Sequence, residues 1–540
     1  MKREEIFKKP SVGRVFAGGV WFFLVTSVAG LLPWIVTLLA GRPEVLGPKG
    51  VEFYTTSWAL VAVCELAGLG LGSAFVRLVA EAHERDEEEG RIVAANATIF
   101  MLALGVVISV VFFALSFLLT TNPQDRLAFS FVGLAVPLLY LRDPVVSMIS
   151  SMHRFDYSGI ANASGFIGIL IVGGPLIVLR SQEYAPYLAA TVPAYALLSL
   201  LAALHFFRKV SPYPLRSLLD PNTLDGRTLS VFLRRGLWIA LTGLVAFGTT
   251  ISLSISTAKA LIPQRELAGL FGVAAGYGWT MAVVTSMTGP LTPELARAKE
   301  RGDEELVRET CHLINKYAYG MAALLAMVYL AAGELILFAI NGPDYVSLGG
   351  APVVKLFVTG MLLYGVANVY GSILVGLGRE RDAGVSFLAS HLLLVLMSLW
   401  LSRIVDPLLA VPYSLLLSSF VPLFFLSIRL LRARVPVYLK EALRPLLAGL
   451  VTFLIGWKLV PPSSIFPTSA HAFLPMVGWC CALGVLYFFL LAFTGHYNEA
   501  DYRMIEDTAR GIHPALLSLT PHLIRALRFV ASLNPFLRRS

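Results

Sequence analysis

Arg142 and Asp143 stand side by side inside an apolar run that extends from residue 126 to residue 151. The next basic residue towards the end of that run is Arg154. At helical rise this separates it from the pair by about 18 Å, which puts the pair deep within any helix formed there. Charged side chains so far inside apolar sequence are costly and face a cavity or a partner. The pair therefore reads either as a polar cavity site for an anionic or polyhydroxylated group, or as a structural ion pair beside a kink at Pro144. Glu65 lies in a second apolar run next to Gly68, Gly70 and Gly72. It is either a counter-ion for Arg142 or a proton acceptor.

Arg77, Arg234 and Arg235 lie at the ends of apolar runs, where a guanidinium could hold a phosphate through two parallel hydrogen bonds. The alternative for them is electrostatic anchoring at a lipid surface, and Lys316 carries the same two readings. Lys259, with Lys355 and Glu334, falls at the opposite ends of such runs and could receive a charged head group; for Lys355 a snorkelling stem is the simpler account. His391 and His205, single histidines among apolar residues, read as hydrogen-bonding core residues. Cys64, Cys480 and Cys481 lie in apolar runs and Cys311 in a polar loop, with no spacing for a metal or a disulfide frame. No Gly-x-x-x-x-Gly-Lys-Ser/Thr loop is present, so nothing is built to cradle a triphosphate. No cofactor is expected.

The elements that must position these groups follow from composition. Of 540 residues 56% are hydrophobic and 14% charged, with a mean hydropathy of +0.73. A soluble domain is about a quarter charged, so this chain lacks the polar surface to cover itself in water. Runs long enough to cross about 30 Å of hydrocarbon as helix occur near 15–40, 51–79, 92–120, 126–151, 158–180, 184–207, 233–258 and 266–289. Others follow near 313–340, 352–377, 383–403, 408–431, 443–460 and 470–494. The expected fold is an all-α polytopic membrane protein with about 14 transmembrane helices.

The formal charge of +9 does not point to nucleic acid, because the basic residues cluster at the ends of apolar runs. Alternate loops and both termini carry several times as many Lys and Arg as the intervening loops. That asymmetry places both termini in the cytoplasm and requires an even number of spans. The acidic run from Glu81 to Glu89 reads as a solvated loop. No extramembrane stretch has room for a soluble catalytic domain. The segment from Pro514 to Leu537 has apolar residues at helical spacing with Arg525 and Arg528, which fits an interfacial amphipathic helix or an ordinary cap.

Three echoes recur in one order about 220 residues downstream. Gly19-Val20-Trp21 matches Gly236-Leu237-Trp238, the charged stretch from Ala82 matches that from Ala298, and Leu138-Leu139-Tyr140 matches Leu362-Leu363-Tyr364. The last two are each followed by a basic residue, Arg154 and Arg379. The expected organisation is an N-terminal six-helix lobe (1–207), a cytoplasmic linker (208–232) and a C-terminal six-helix lobe (233–431). Two extra helices (432–494) and a tail (495–540) complete it. Parallel halves with a site between them are a transporter plan.

The stretch from Glu65 to Arg77, with its Gly70-Leu71-Gly72 turn, resembles the second-helix signature of oligosaccharide flippases. These form the O-antigen and polysaccharide branch of the multidrug/oligosaccharidyl-lipid/polysaccharide exporter superfamily. Met148 to Asp156 is similar to that family's fourth loop, Pro290 to Asp303 to its eighth, and Asn341-Gly342-Pro343-Asp344-Tyr345 to the turn after its ninth helix. The resemblance spans roughly residues 10 to 505. It implies a flippase carrying a polyprenyl-(pyro)phosphate-linked oligosaccharide to the outer leaflet of the cell membrane. Membrane lipids and polysaccharide-assembly enzymes are the implied partners. A peptidoglycan-precursor flippase and a cation-coupled multidrug exporter of the same superfamily are the alternatives. Many relatives carry an acidic residue in the seventh helix, and here Gly236 to Ala258 has none. A membrane glycosyltransferase would need paired outward acids, and those residues stand isolated.

Overall fold

The structure is a computed structural model. It describes residues 78–234, 247–285, 295–435, 439–503 and 514–534 apart from isolated positions, with single residues between 36 and 75. Among these residues the chain is helical and has no strand. Four helices come first: α1 (Glu87–Leu119), α2 (Pro123–Ser151), α3 (Phe155–Leu179) and α4 (Thr191–Val210), the last entered through a 3-10 turn at Gln182–Ala190. After the linker follow α5 (Phe247–Leu261), α6 (Arg265–Tyr277), α7 (Glu304–Asn341), α8 (Gly350–Gly376), α9 (Glu380–Leu401) and α10 (Pro407–Arg432). The chain continues with α11 (Leu439–Leu459), α12 (Ser469–Phe493) and α13 (Pro514–Ser532).

Ten of the described helical stretches are long and apolar enough to span a membrane, and they coincide with ten of the expected runs. The expected runs at 15–40 and 51–79 lie almost wholly outside the described residues. Those at 233–258 and 266–289 are described only in part, through α5 and α6. With many apolar side chains facing outward, such as Val110, Leu118, Val178, Phe424 and Leu474, the protein is a multi-pass membrane protein whose outer surface is solvated by lipid.

The core gathers in two large clusters of buried residues. One draws on Val61, Phe75, Met101, Val136, Tyr140, Ile149, Ala196 and Phe207. The other draws on α5 to α10 with Met476 and Leu483 of α12. In the first, α2 packs on both α1 and α4, and α3 on α4; in the second, α10 packs on α8 and α9, and α7 on α8, α11 and α12. Gly168 lets α3 and α4 approach: a Cβ there would stand 2.5 Å from the carbonyl oxygen of Ala194.

Prolines inside these helices remove backbone donors, which in lipid must be answered from elsewhere. Pro137 of α2 frees the carbonyl of Gly133, and the Ser109 hydroxyl of α1 donates to it at 2.7 Å. Pro422 of α10 frees the carbonyl of Ser418, and the Ser390 hydroxyl of α9 donates to it at 2.8 Å. The two clusters use the same device at different helix pairs.

Some expectations are corrected. Cys311 is not in a loop: α7 starts at Glu304, on Asp303 as its cap, and Cys311 is buried within it. The acidic run is not one solvated loop, since Glu81 is buried and Glu87, Glu88 and Glu89 form the exposed first turn of α1. His205 is exposed and meets the Phe206 ring edge-on. Its position follows from helical phase, because α4 buries Ala203 and Phe207 and turns residue 205 outward.

Candidate functional site

Arg142 sits in α2 one turn beyond Pro137 and just before Pro144. Its guanidinium is buried, at 8% exposure. It donates to the Asp143 carboxylate from Nε at 2.9 Å and from Nη2 at 2.6 Å. Nη1 donates to the Tyr195 hydroxyl of α4 at 3.1 Å, and the guanidinium carbon stands 5.4 Å from the Tyr195 ring centre. The Tyr195 ring in turn meets Trp58 edge-on at 5.3 Å and Phe166 of α3 at the same distance. Trp58 packs on Tyr54, and the buried indole N–H of Trp58 has no hydrogen-bond partner among the described residues. Tyr140, two residues before Arg142, donates to the Cys64 carbonyl at 2.6 Å, so the second apolar run packs against α2 at this level.

The arrangement combines an ion pair between buried Arg142 and half-buried Asp143 with an aromatic wall of Trp58, Tyr195 and Phe166. A guanidinium and a carboxylate in fixed geometry offer donors and acceptors to a polyhydroxylated or anionic group. Aromatic faces with a hydroxyl and an indole N–H at their edges suit a ligand with one apolar and one polar side. Sequence reasoning found Arg142 and Asp143 because charge stands out in an apolar run. It missed Trp58 and Tyr195, since an aromatic residue in such a run carries no signal until the helices that bring it to the pair are placed.

The remaining candidates are dispersed. Lys316 is buried in α7, and its ammonium donates to Asp501 at 2.5 Å. Asp501 also accepts from the Tyr317 hydroxyl at 3.1 Å and from the Asn498 backbone at 2.6 Å. Lys316 thus holds the segment after α12 against α7. Arg234 is exposed just past the linker. Lys259 belongs to α5, with its side chain outside the described residues, and Glu65, Arg77 and Arg235 also lie outside them. Glu334 accepts from the Ser463 hydroxyl at 2.7 Å and so ties α7 to the α11–α12 connection. His391 accepts or donates at both ring nitrogens, to Thr250 at 3.3 Å and Tyr364 at 2.9 Å, and joins α5, α8 and α9. The two core clusters touch through Arg297, whose buried guanidinium donates to the Ser151 carbonyl at the end of α2. Among the described residues no group of His, Cys, Asp and Glu is arranged to hold a metal.

The comparison with solved structures is extensive along the chain. A Vibrio cholerae MATE transporter, VcmN, superposes with a TM-score of 0.63 at 13% identity, over 80% of this chain and 98% of that one. The fold is that of these transporters. The lipid II flippase MurJ in an inward closed conformation matches with a TM-score of 0.61 at 11% identity, over 87% of this chain and 98% of its own. An outward-facing multidrug resistance MATE family transporter of the MOP superfamily gives 0.60 at 14% identity, over 85% and 99%. No family model and no curated protein sequence matches the chain.

Proposed function

We propose that this protein translocates a polyprenyl-(pyro)phosphate-linked oligosaccharide from the cytoplasmic to the outer leaflet by alternating access, for surface polysaccharide or glycan assembly. The observation that carries the proposal is the Arg142–Asp143 pair, its guanidinium bonded to the Tyr195 hydroxyl beside Trp58. A glycan presents hydroxyls that such a pair can bind, and C–H faces that pack on aromatic rings. The guanidinium is equally suited to the phosphate of the carrier. Arg234 and Arg235 would meet that phosphate at the cytoplasmic end, with Arg77 near the same face and Lys259 near the opposite one. Glu65 is the proposed counter-ion or proton acceptor.

The carrier's tail stays in lipid while the head group crosses between the two helical halves. The Arg297 bond to Ser151 joins those halves at one end and must break when the site opens there. The chain acts as a transporter rather than an enzyme, in the cell membrane, with both termini cytoplasmic. The resemblance to a lipid II flippase over most of the chain favours a peptidoglycan precursor as the second substrate reading. The likeness to MATE transporters favours a drug cation as the third. Complementation separates them. The protein should restore surface polysaccharide in cells deprived of their oligosaccharide flippase. Restoration only of cells deprived of their lipid II flippase, or only of drug resistance, would overturn the first reading.

A further inference from the structure

A second cationic site lies away from the Arg142 pair, at the turn between α8 and α9. A cavity of about 550 Å³ opens there, lined by Val231, Arg234, Gly378, Arg379, Glu380, Arg381 and Asp382. Its size is within the range of small-molecule sites. Three arginines from two separate segments, one just past the linker and the other at the turn, converge on it. Of the two acids, Asp382 pairs with Arg429 of α10 at 3.5 Å, and Glu380 is buried. Arg379 is steadied from behind, donating from Nη1 to the Arg429 carbonyl at 3.2 Å. Arg234 and Arg381 are exposed.

The first half of the chain has the equivalent turn between α2 and α3, and it is electrostatically closed. Arg154, the counterpart of Arg379 in the sequence echo, donates to both oxygens of Asp156 at 3.0 and 2.7 Å and lies 3.7 Å from the Tyr157 ring centre. Arg154 is the lone arginine of that turn. The second half replaces a lone arginine with a cavity lined by three arginines and two acids.

We infer that this cavity binds a phosphate or diphosphate group presented at the membrane face. The guanidinium fork matches the oxygens of a phosphate in two-point contacts. The ligand is either the diphosphate of a polyprenyl-linked head group or the phosphate of an anionic membrane lipid. The site stands on either source, and only the first source rests on the flippase reading.

The test uses the full-length protein in phosphatidylcholine nanodiscs with inorganic pyrophosphate as the probe. Wild type and the Arg154→Gln control should bind alike. Arg234→Gln/Arg381→Gln, which removes two exposed charges and spares the Arg379 contact, should bind about tenfold more weakly or worse. Adding Arg379→Gln should abolish binding. Native mass spectrometry then distinguishes the sources. Retention of polyprenyl diphosphate over phosphatidylglycerol, lost in the double variant, assigns the substrate; the reverse assigns a membrane lipid. Pyrophosphate binding lost while flipping persists supports the site, assigns it to lipid and removes Arg234 from the carrier contacts of the flippase reading. Unchanged pyrophosphate affinity in a monodisperse double variant overturns the inference, as does a wild type that retains neither pyrophosphate nor either lipid.

Discussion

Removing one partner of the Lys316–Asp501 pair should be among the most damaging single changes in this protein. The side chains are 3% and 2% exposed and the ammonium lies 2.5 Å from the carboxylate, so screening by water does little. Lys316→Met strands an anion, but the Tyr317 hydroxyl and the Asn498 N–H still donate to it. The cost falls at the lower end of the range for breaking a buried pair, about 3 kcal/mol. Asp501→Leu strands the ammonium with no comparable compensation and costs about 5 kcal/mol. Lys316→Met/Asp501→Leu removes both charges and leaves only the Tyr317 hydroxyl and the Asn498 N–H wanting an acceptor, about 1–2 kcal/mol. The double variant should thus be more stable than either single one, with a coupling of several kcal/mol. Reversible unfolding in mixed micelles, followed by a reporter on the segment after α12, measures all four proteins. Single variants that unfold like wild type, or a double variant whose loss equals the sum of the two, would refute the reasoning.

Other outcomes follow from the same geometry. His496, just past the end of α12, is buried and its pKa is lowered to about 3, first by burial and then by Lys316, Arg444 and His312. Protonation therefore favours the unfolded chain. The His496 contribution is intact above about pH 6.5 and lost as pH falls towards 3, by about 2 kcal/mol at pH 5. His496→Gln should flatten the fall in thermal stability between pH 7 and 5, and an unchanged pH profile would contradict this. Gly168→Ala drives a methyl into the Ala194 carbonyl and should cost about 1–3 kcal/mol, read as a lower midpoint in detergent unfolding. Ser109→Ala and Ser390→Ala each strand a proline-freed carbonyl and should each cost about 0.6–1.7 kcal/mol. Thermal unfolding of the two variants should show similar losses.

Spans and the pair at Arg142 were legible in the sequence because lipid leaves so few ways to satisfy backbone and charge. Ten apolar runs became ten spanning helices for that reason. What one dimension does not carry is which face a residue occupies and what meets it. Lys316 looked like a basic residue near a helix end, and only the return of the chain at Asp501, far downstream in sequence, reveals its partner. Tyr195 and Trp58 carry no signal in an apolar run, and they stand out only once α4 and the second run converge on Arg142. Cys311 was misplaced because the polar first turns of α7 read as loop, although Asp303 caps a helix there.

Translocation in proteoliposomes is the most direct measurement of the central claim. A fluorescent polyprenyl-linked oligosaccharide is placed in one leaflet, and its passage is followed beside the elution profile of each protein. Wild type should flip it without nucleotide. Arg142→Ala should elute as a single species and fail to flip, and Arg142→Lys should recover part of the rate, since an ammonium lacks the two-point contact. An Arg142→Ala protein that aggregates and is rescued by Asp143→Asn with transport intact would make the pair structural and contradict the account.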